Sequence, residues 1–232
     1  MKTKFFFAVV LVVVIATPVT IWRKFYRVEP QPQWISAEPR TAFLYGTVEA
    51  EKTQGIPYWI WLALPRMFPE YMPGPGGYAS LGVPWEETLE MPVGFAKQNV
   101  GYVRVTGNCA LCHAVSQTKG QEDIPTVVVA VHGQSTNIQP LLGFFTQCAQ
   151  DPKFNANEIL TEVDNATKLS FLDRQLYRFI LIPRTKKALA DPGRVIFAEA
   201  LQAHAKKPQS AFSKQQMKEL EAWMRAQAIS GN

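Results

Sequence analysis

Residues 107–114 read GNCALCHA, and inside them Cys109, Ala110, Leu111, Cys112 and His113 form the pattern C-x-x-C-H. On one turn of helix, positions i, i+3 and i+4 share a face, so Cys109, Cys112 and His113 can point at one planar ligand. The spacing fits a known chemistry. Two thiols can add to the two vinyl groups of haem as thioethers, while the imidazole reaches the iron as proximal axial ligand. The sequence therefore predicts one covalently attached haem c, with Cys109 and Cys112 holding the porphyrin and His113 ligating iron.

Zinc is the competing reading, because C-x-x-C pairs also bind zinc and then want two more Cys or His ligands. Cys148, His132 and His204 remain to supply them, and none belongs to a second closely spaced pair. A thioredoxin-like redox pair would want a strand leading into C-x-x-C within a βαβ pattern that the chain does not otherwise show. Cys148, in GFFTQCAQ, has the aromatic neighbours of a small buried thiol.

Outward from the motif, the 232 residues are 47% apolar, enough to bury a core as one domain or one domain with an appendage. The formal charge of +5 is concentrated at one end. Setting aside Lys2, Lys4, Arg23, Lys24 and Arg27 leaves 19 basic and 19 acidic residues, so the folded part is neutral and no nucleic-acid footprint is expected. Those five cations flank residues 5–22, FFFAVVLVVVIATPVTIW, an 18-residue apolar run near the lower limit for spanning a bilayer. Pro18 is tolerable near the end of a membrane helix, and no clear small-x-small cleavage site follows it. An uncleaved anchor is preferred, with a cleaved signal as the alternative. Cations on both flanks leave the positive-inside rule silent. The motif resembles that of bacterial c-type cytochromes, which are matured outside the cytoplasmic membrane, so residues 28–232 are expected to face the periplasm on a single-pass anchor.

This gives residues 1–27 as anchor, 28–55 as a tether with prolines at 30, 32 and 39, 56–192 as the haem domain, and 193–232 as a C-terminal helical segment. PYWIWLALPRMF, residues 57–68, suits a buried helix ending near Pro69 or interrupted at Pro65, with Trp59 and Trp61 in the core or lining the haem. Residues 69–87 are too rich in Pro and Gly for a long regular element. GYVRV at 101–105 and TVVVAV at 126–131 have strand composition and could pair across the motif as a small antiparallel ribbon. Helices are expected over about 138–150, 156–167, 170–190 with a kink or stop at Pro183, 194–206 and 213–228, the last capped by Ser213.

The sixth iron ligand separates a carrier from a catalyst: Met or His there makes an electron carrier, and an open position lets a small molecule react. There is no methionine between His113 and Met217, which speaks against an ordinary Met-ligated cytochrome. His132 is the first distal candidate and Met91 a weaker one, beside an open site; His204 and Met72 follow. His132 is also the histidine nominated for acid–base work next to an open iron. Residues 193–204, GRVIFAEALQAH, keep the rhythm of a second cytochrome segment with Ala200 and Ala203 at the cysteine positions and His204 at the ligand position, or form an ordinary amphipathic helix.

PYWIWLALPRMFPEYMPGPGGYASLG (57–82), MPVGF (91–95), GNCALCHA (107–114), CAQDPKFNANEIL (148–160) and LDRQLYRFILIPRTKKAL (172–189) together resemble the N-terminal half of exported di-haem cytochromes. They look like the rubber-oxygenase-like branch of the di-haem cytochrome c peroxidase superfamily, over about residues 55–190. The resemblance implies a mainly α, cytochrome c-like haem domain and iron that reacts with oxygen or peroxide. Family members carry a second C-x-x-C-H, and the 232 residues contain one. The resulting expectation is a membrane-anchored cytochrome passing electrons to a redox partner protein. The alternatives are a haem-dependent peroxidase or oxygenase, or a subunit of one, and a haem-based sensor or assembly subunit.

Overall fold

A computed structural model describes residues 27–48, 54–86, 88–117, 126–129 and 135–190, with single residues 16, 19, 192 and 218. Most of the apolar run 5–22 and the helices expected over 194–206 and 213–228 lie outside the described residues. Among the described residues no helix is long and apolar enough to cross a membrane. What is described is mainly helical, with two small antiparallel sheets.

The stretch expected as an extended tether has structure. Val28 bridges to Val100, and Gly101 N–H donates to the Arg27 carbonyl, so the chain is stitched to a sheet edge before α1 (Gln33–Ser36) and α2 (Pro39–Tyr45). Pro39 opens α2 because its fixed φ suits the first helical position and its missing N–H costs nothing there. Ile35, Leu44 and Tyr45 are buried, and this apolar spacing, too sparse to predict a helix, explains why the segment packs instead of dangling.

The central helix α3 (Tyr58–Met67) runs through Pro65 without stopping. A proline at 65 cannot donate to the carbonyl of residue 61, which would leave a buried acceptor without its helical partner. Tyr78 Oη donates to the Trp61 carbonyl at 2.8 Å and fills that gap. Its ring also stacks on Trp61, centroids 4.4 Å apart. Around this pair the main core gathers Phe68, Phe95, Phe144, Phe145 and Phe154.

β2 (Phe95–Val100) and β3 (Tyr102–Gly107) form a tight hairpin about Gly101, whose φ of +73° no β-branched residue would adopt cheaply. β1 (Ile56–Pro57) adds to the other side of β3. TVVV forms β5 (Thr126–Val129), but its partner is β4 (Ala114–Gln117), not GYVRV. The expected ribbon is thus two separate ribbons. Each strand found a nearer partner, FAKQNV or AVSQ, whose polar composition gave no strand signal, and short loops close at lower entropic cost.

Helices α5 (Ile138–Gln150), α6 (Ala156–Ala166), α7 (Phe171–Leu176) and α8 (Ile182–Leu189) complete the described fold. Asn155 caps α6 by accepting from the N–H groups of Asn157 and Glu158, and Ser170 caps α7 by accepting from Asp173. At Pro183 the chain neither stops nor breaks. A wide π turn, Tyr177–Leu181, joins α7 to α8 immediately before the residue that lacks an N–H.

Candidate haem-attachment site

The C-x-x-C-H segment is a single turn, α4 (Ala110–His113), with Cys109 already in helical conformation before it and strand β4 directly after it. The turn is sharply two-sided. Ala110 and Leu111 are fully buried, whereas Cys109 and His113 are exposed and Cys112 is partly so. Leu111 enters the aromatic core with Trp61 and Phe95; Ala110 and Ala114 enter a second cluster with Ile35, Leu44, Tyr45, Val93, Val127 and Val129. The two spacer residues of the motif are therefore structural, and the three chemical ones share the outer side.

Asn108 fixes this turn. Its Nδ2 donates to the carbonyls of Leu44 (3.2 Å) and Gly46 (3.0 Å) at the end of α2, and its Oδ1 accepts from Ala110 N–H at 2.9 Å. Its own N–H donates to the Gly94 carbonyl, and Gly94 N–H donates to the Leu44 carbonyl. Gly94 also explains how close the backbones lie: a Cβ there would sit 2.4 Å from Leu111 Cα, at a φ of +85°. Sequence reasoning missed both residues. The trace of Asn108 was an Asn two positions before the first helical N–H, an Asx-turn arrangement; Gly94 left no trace beyond being glycine, since Leu111 is far along the chain.

Burial raises the Cys109 thiol above its usual pKa, because enough protein surrounds the sulfur even though the residue is exposed overall. Burial raises Cys112 as well, with Cys109 beside it adding to the effect. Both thiols are thus held further from ionisation than a free cysteine, and neither is an activated thiolate. The His113 side chain makes no hydrogen bond or ion pair among the described residues. No group of three or more His, Cys, Asp or Glu side chains there comes together to hold a metal ion.

Behind the motif, Tyr45 Oη donates to Glu86 Oε2, and Arg40 reaches both Glu86 Oε1 and the Val127 carbonyl. Burial, and then the Glu86 carboxylate, push the Tyr45 phenol far above its usual range, so it remains a donor. These contacts tie α2 to β5. β4 is clasped from the far side, where Ser135 N–H donates to the Ala114 carbonyl and Ser135 Oγ accepts from Ser116 N–H.

Met91 is buried in the core cluster that holds Leu111, and it lines a groove of about 170 Å³ with Trp34, Ile35, Tyr45 and Leu89. Met72 is partly buried against the same core. Trp61 is wholly in the core and Trp59 packs partly buried against it. Cys148 is a fully buried free thiol, its ionisation suppressed by burial and by Asp151. His132 and His204, with Ala200 and Ala203, lie outside the described residues. No family model, curated protein or solved structure matches the chain.

Proposed function

We propose that the chain is a membrane-anchored, extracytoplasmic c-type cytochrome with one haem, acting in electron transfer with a redox partner protein. The observation that carries this reading is the two-sided motif turn. Cys109 is exposed, Cys112 partly so, and His113 makes no hydrogen bond or ion pair among the described residues, on a turn whose other side is locked by Leu111, Ala110 and Asn108. Haem supplies a one-electron iron couple when bound. The protein's part is to hold it covalently, to set the His113 ring, and to present it at a surface a partner can approach. The anchor reading rests on residues 5–22 and their basic flanks. The cytochrome c-like fold and the kinship with di-haem peroxidase-like proteins rest on the sequence resemblance.

A second reading keeps the iron open to oxygen or peroxide, and the placement of Met91 favours it. That side chain sits with Leu111, on the side of α4 away from exposed Cys109 and His113. His132 remains the distal candidate in the first reading; of the described residues on either side of it, Val129 is the register partner of Ala114 and Ser135 N–H donates to the Ala114 carbonyl.

Two measurements test these readings. Haem absorbance that stays with the polypeptide after acid–acetone extraction, and is lost in Cys109→Ala/Cys112→Ala, supports covalent attachment; its loss from the wild type refutes it. Reduced protein whose spectrum ignores carbon monoxide supports the carrier, and ready binding of carbon monoxide transfers support to the open-iron enzyme.

A further inference from the structure

The chain from Phe171 to Leu189 has two apolar sides. One is buried in the fold through Tyr177, Leu181, Ile182 and Leu189. The other carries Phe171, Leu172 and Phe179, exposed at 74%, 63% and 69%, the three most exposed large apolar side chains among the described residues. Exposed Pro183 lies four residues past Phe179, across the wide turn from Leu172, and extends the exposed apolar side.

This row is set in positive charge. Residues 171–190 contain Arg174, Arg178, Arg184, Lys186 and Lys187 against one acid, Asp173. Arg174 is neutralised by Asp164, and Lys186 is turned onto the carbonyls of Asp151 and Phe154. Arg184 and Lys187 are exposed and make no ion pair among the described residues. An exposed apolar row bordered by unpaired cations is the pattern of a helix that lies in a membrane interface, with Phe and Leu in the acyl boundary and cations on lipid phosphates.

We propose that the outer face of α7 and α8 rests on an anionic lipid surface and holds the domain against the bilayer. The proposal rests on the anchor reading of residues 5–22. Three apolar side chains and two cations bind a membrane weakly alone, but a tether makes their contact intramolecular and raises their effective concentration. Charge complementarity selects anionic lipid, each cation near such a surface contributing about fivefold in partition.

Hydroxyl-radical footprinting of the full chain in nanodiscs of phosphatidylglycerol and of phosphatidylcholine tests this, with exposed Trp34 as the internal reference. The expected result is about fivefold or greater protection of Phe171, Leu172 and Phe179 in the anionic discs. Trp34 should be unchanged, and Arg184→Glu/Lys187→Glu should remove the protection. Disc-bound chain oxidised equally in both lipids overturns the proposal and leaves the anchor reading standing. Protection that ignores lipid charge and survives the double variant assigns the face to protein, a second copy or another partner, and also overturns it. Chain that fails to elute with discs of either kind overturns both readings.

Discussion

Replacing Asn108 with alanine removes three side-chain hydrogen bonds at once, and the structure says which partners suffer. The Leu44 carbonyl keeps the N–H of Gly94. The Gly46 carbonyl and the Ala110 N–H lose the side-chain partners seen at 3.0 and 2.9 Å, both in a buried setting. Each stranded group costs about 1–3 kcal/mol, so Asn108→Ala should destabilise by about 3 kcal/mol. With a urea dependence of roughly 2 kcal/mol per molar, the midpoint should fall by about 1.5 M, followed by tryptophan fluorescence. Asn108→Asp is the informative companion. It keeps an acceptor for Ala110 but turns a carboxylate oxygen onto the carbonyls of Leu44 and Gly46, so at neutral pH it should cost at least as much as alanine. Its carboxyl would be pushed up by those carbonyls and would need its proton to donate, so its penalty should shrink as pH falls. An alanine variant with a midpoint within about 0.3 M of wild type, and with unchanged haem retention, would refute the claim that Asn108 holds the motif turn.

Other consequences follow from the same geometry. Tyr78→Phe should cost about 1–2 kcal/mol by stranding the Trp61 carbonyl, and less in a Pro65→Ala background, where residue 65 regains an N–H. A double-mutant cycle of chemical denaturations should give about 1 kcal/mol of coupling, and zero coupling would mean that Tyr78 does not substitute for the helical donor. Gly94→Ala should cost about 3 kcal/mol or more from backbone overlap with Leu111 at positive φ, and should lower the yield of haem-loaded protein; wild-type thermal stability would contradict it. Asp151 is held below the usual carboxylate range, first by the Tyr71 hydroxyl and then by Lys153 N–H. A depressed folded pKa contributes stability above the ordinary carboxylate value and loses it as pH falls through the folded one, so Tyr71→Phe should move Asp151 upward in a carboxyl NMR titration.

How much of this was legible in the sequence depends on how far apart the partners lie. The C-x-x-C-H pattern, the boundaries of α5 and the start of α6 are encoded within a few residues, and they could be read there. Asn108 and Gly94 work on Leu44, Gly46 and Leu111, distant in sequence, and beyond the Asx-turn spacing of Asn108 no local pattern announces them. The strands FAKQNV and AVSQ lack the β-branched content of GYVRV and TVVV, so pairing was assigned to the two segments that looked like strands. At the two prolines the outcomes differ. Of the two readings at the first helix, an end near Pro69 or an interruption at Pro65, the first holds because a tyrosine hydroxyl from outside the helix accommodates Pro65; at Pro183, where a kink or stop is expected, a wide turn precedes the proline and the helix goes on.

The division of labour within the motif bears on the order of biogenesis. Ala110 and Leu111 close two clusters with side chains that no prosthetic group needs, and the sulfurs are turned the other way. Core formation and the chemistry proposed for the two sulfurs therefore draw on different atoms of the same five residues. On the proposed reading, the chain can close its interior around Ala110 and Leu111 and still offer both thiols for haem attachment. On that reading haem attachment would modify the outer side of a scaffold whose core is already closed, and the Cys109→Ala/Cys112→Ala chain should fold as the wild type does.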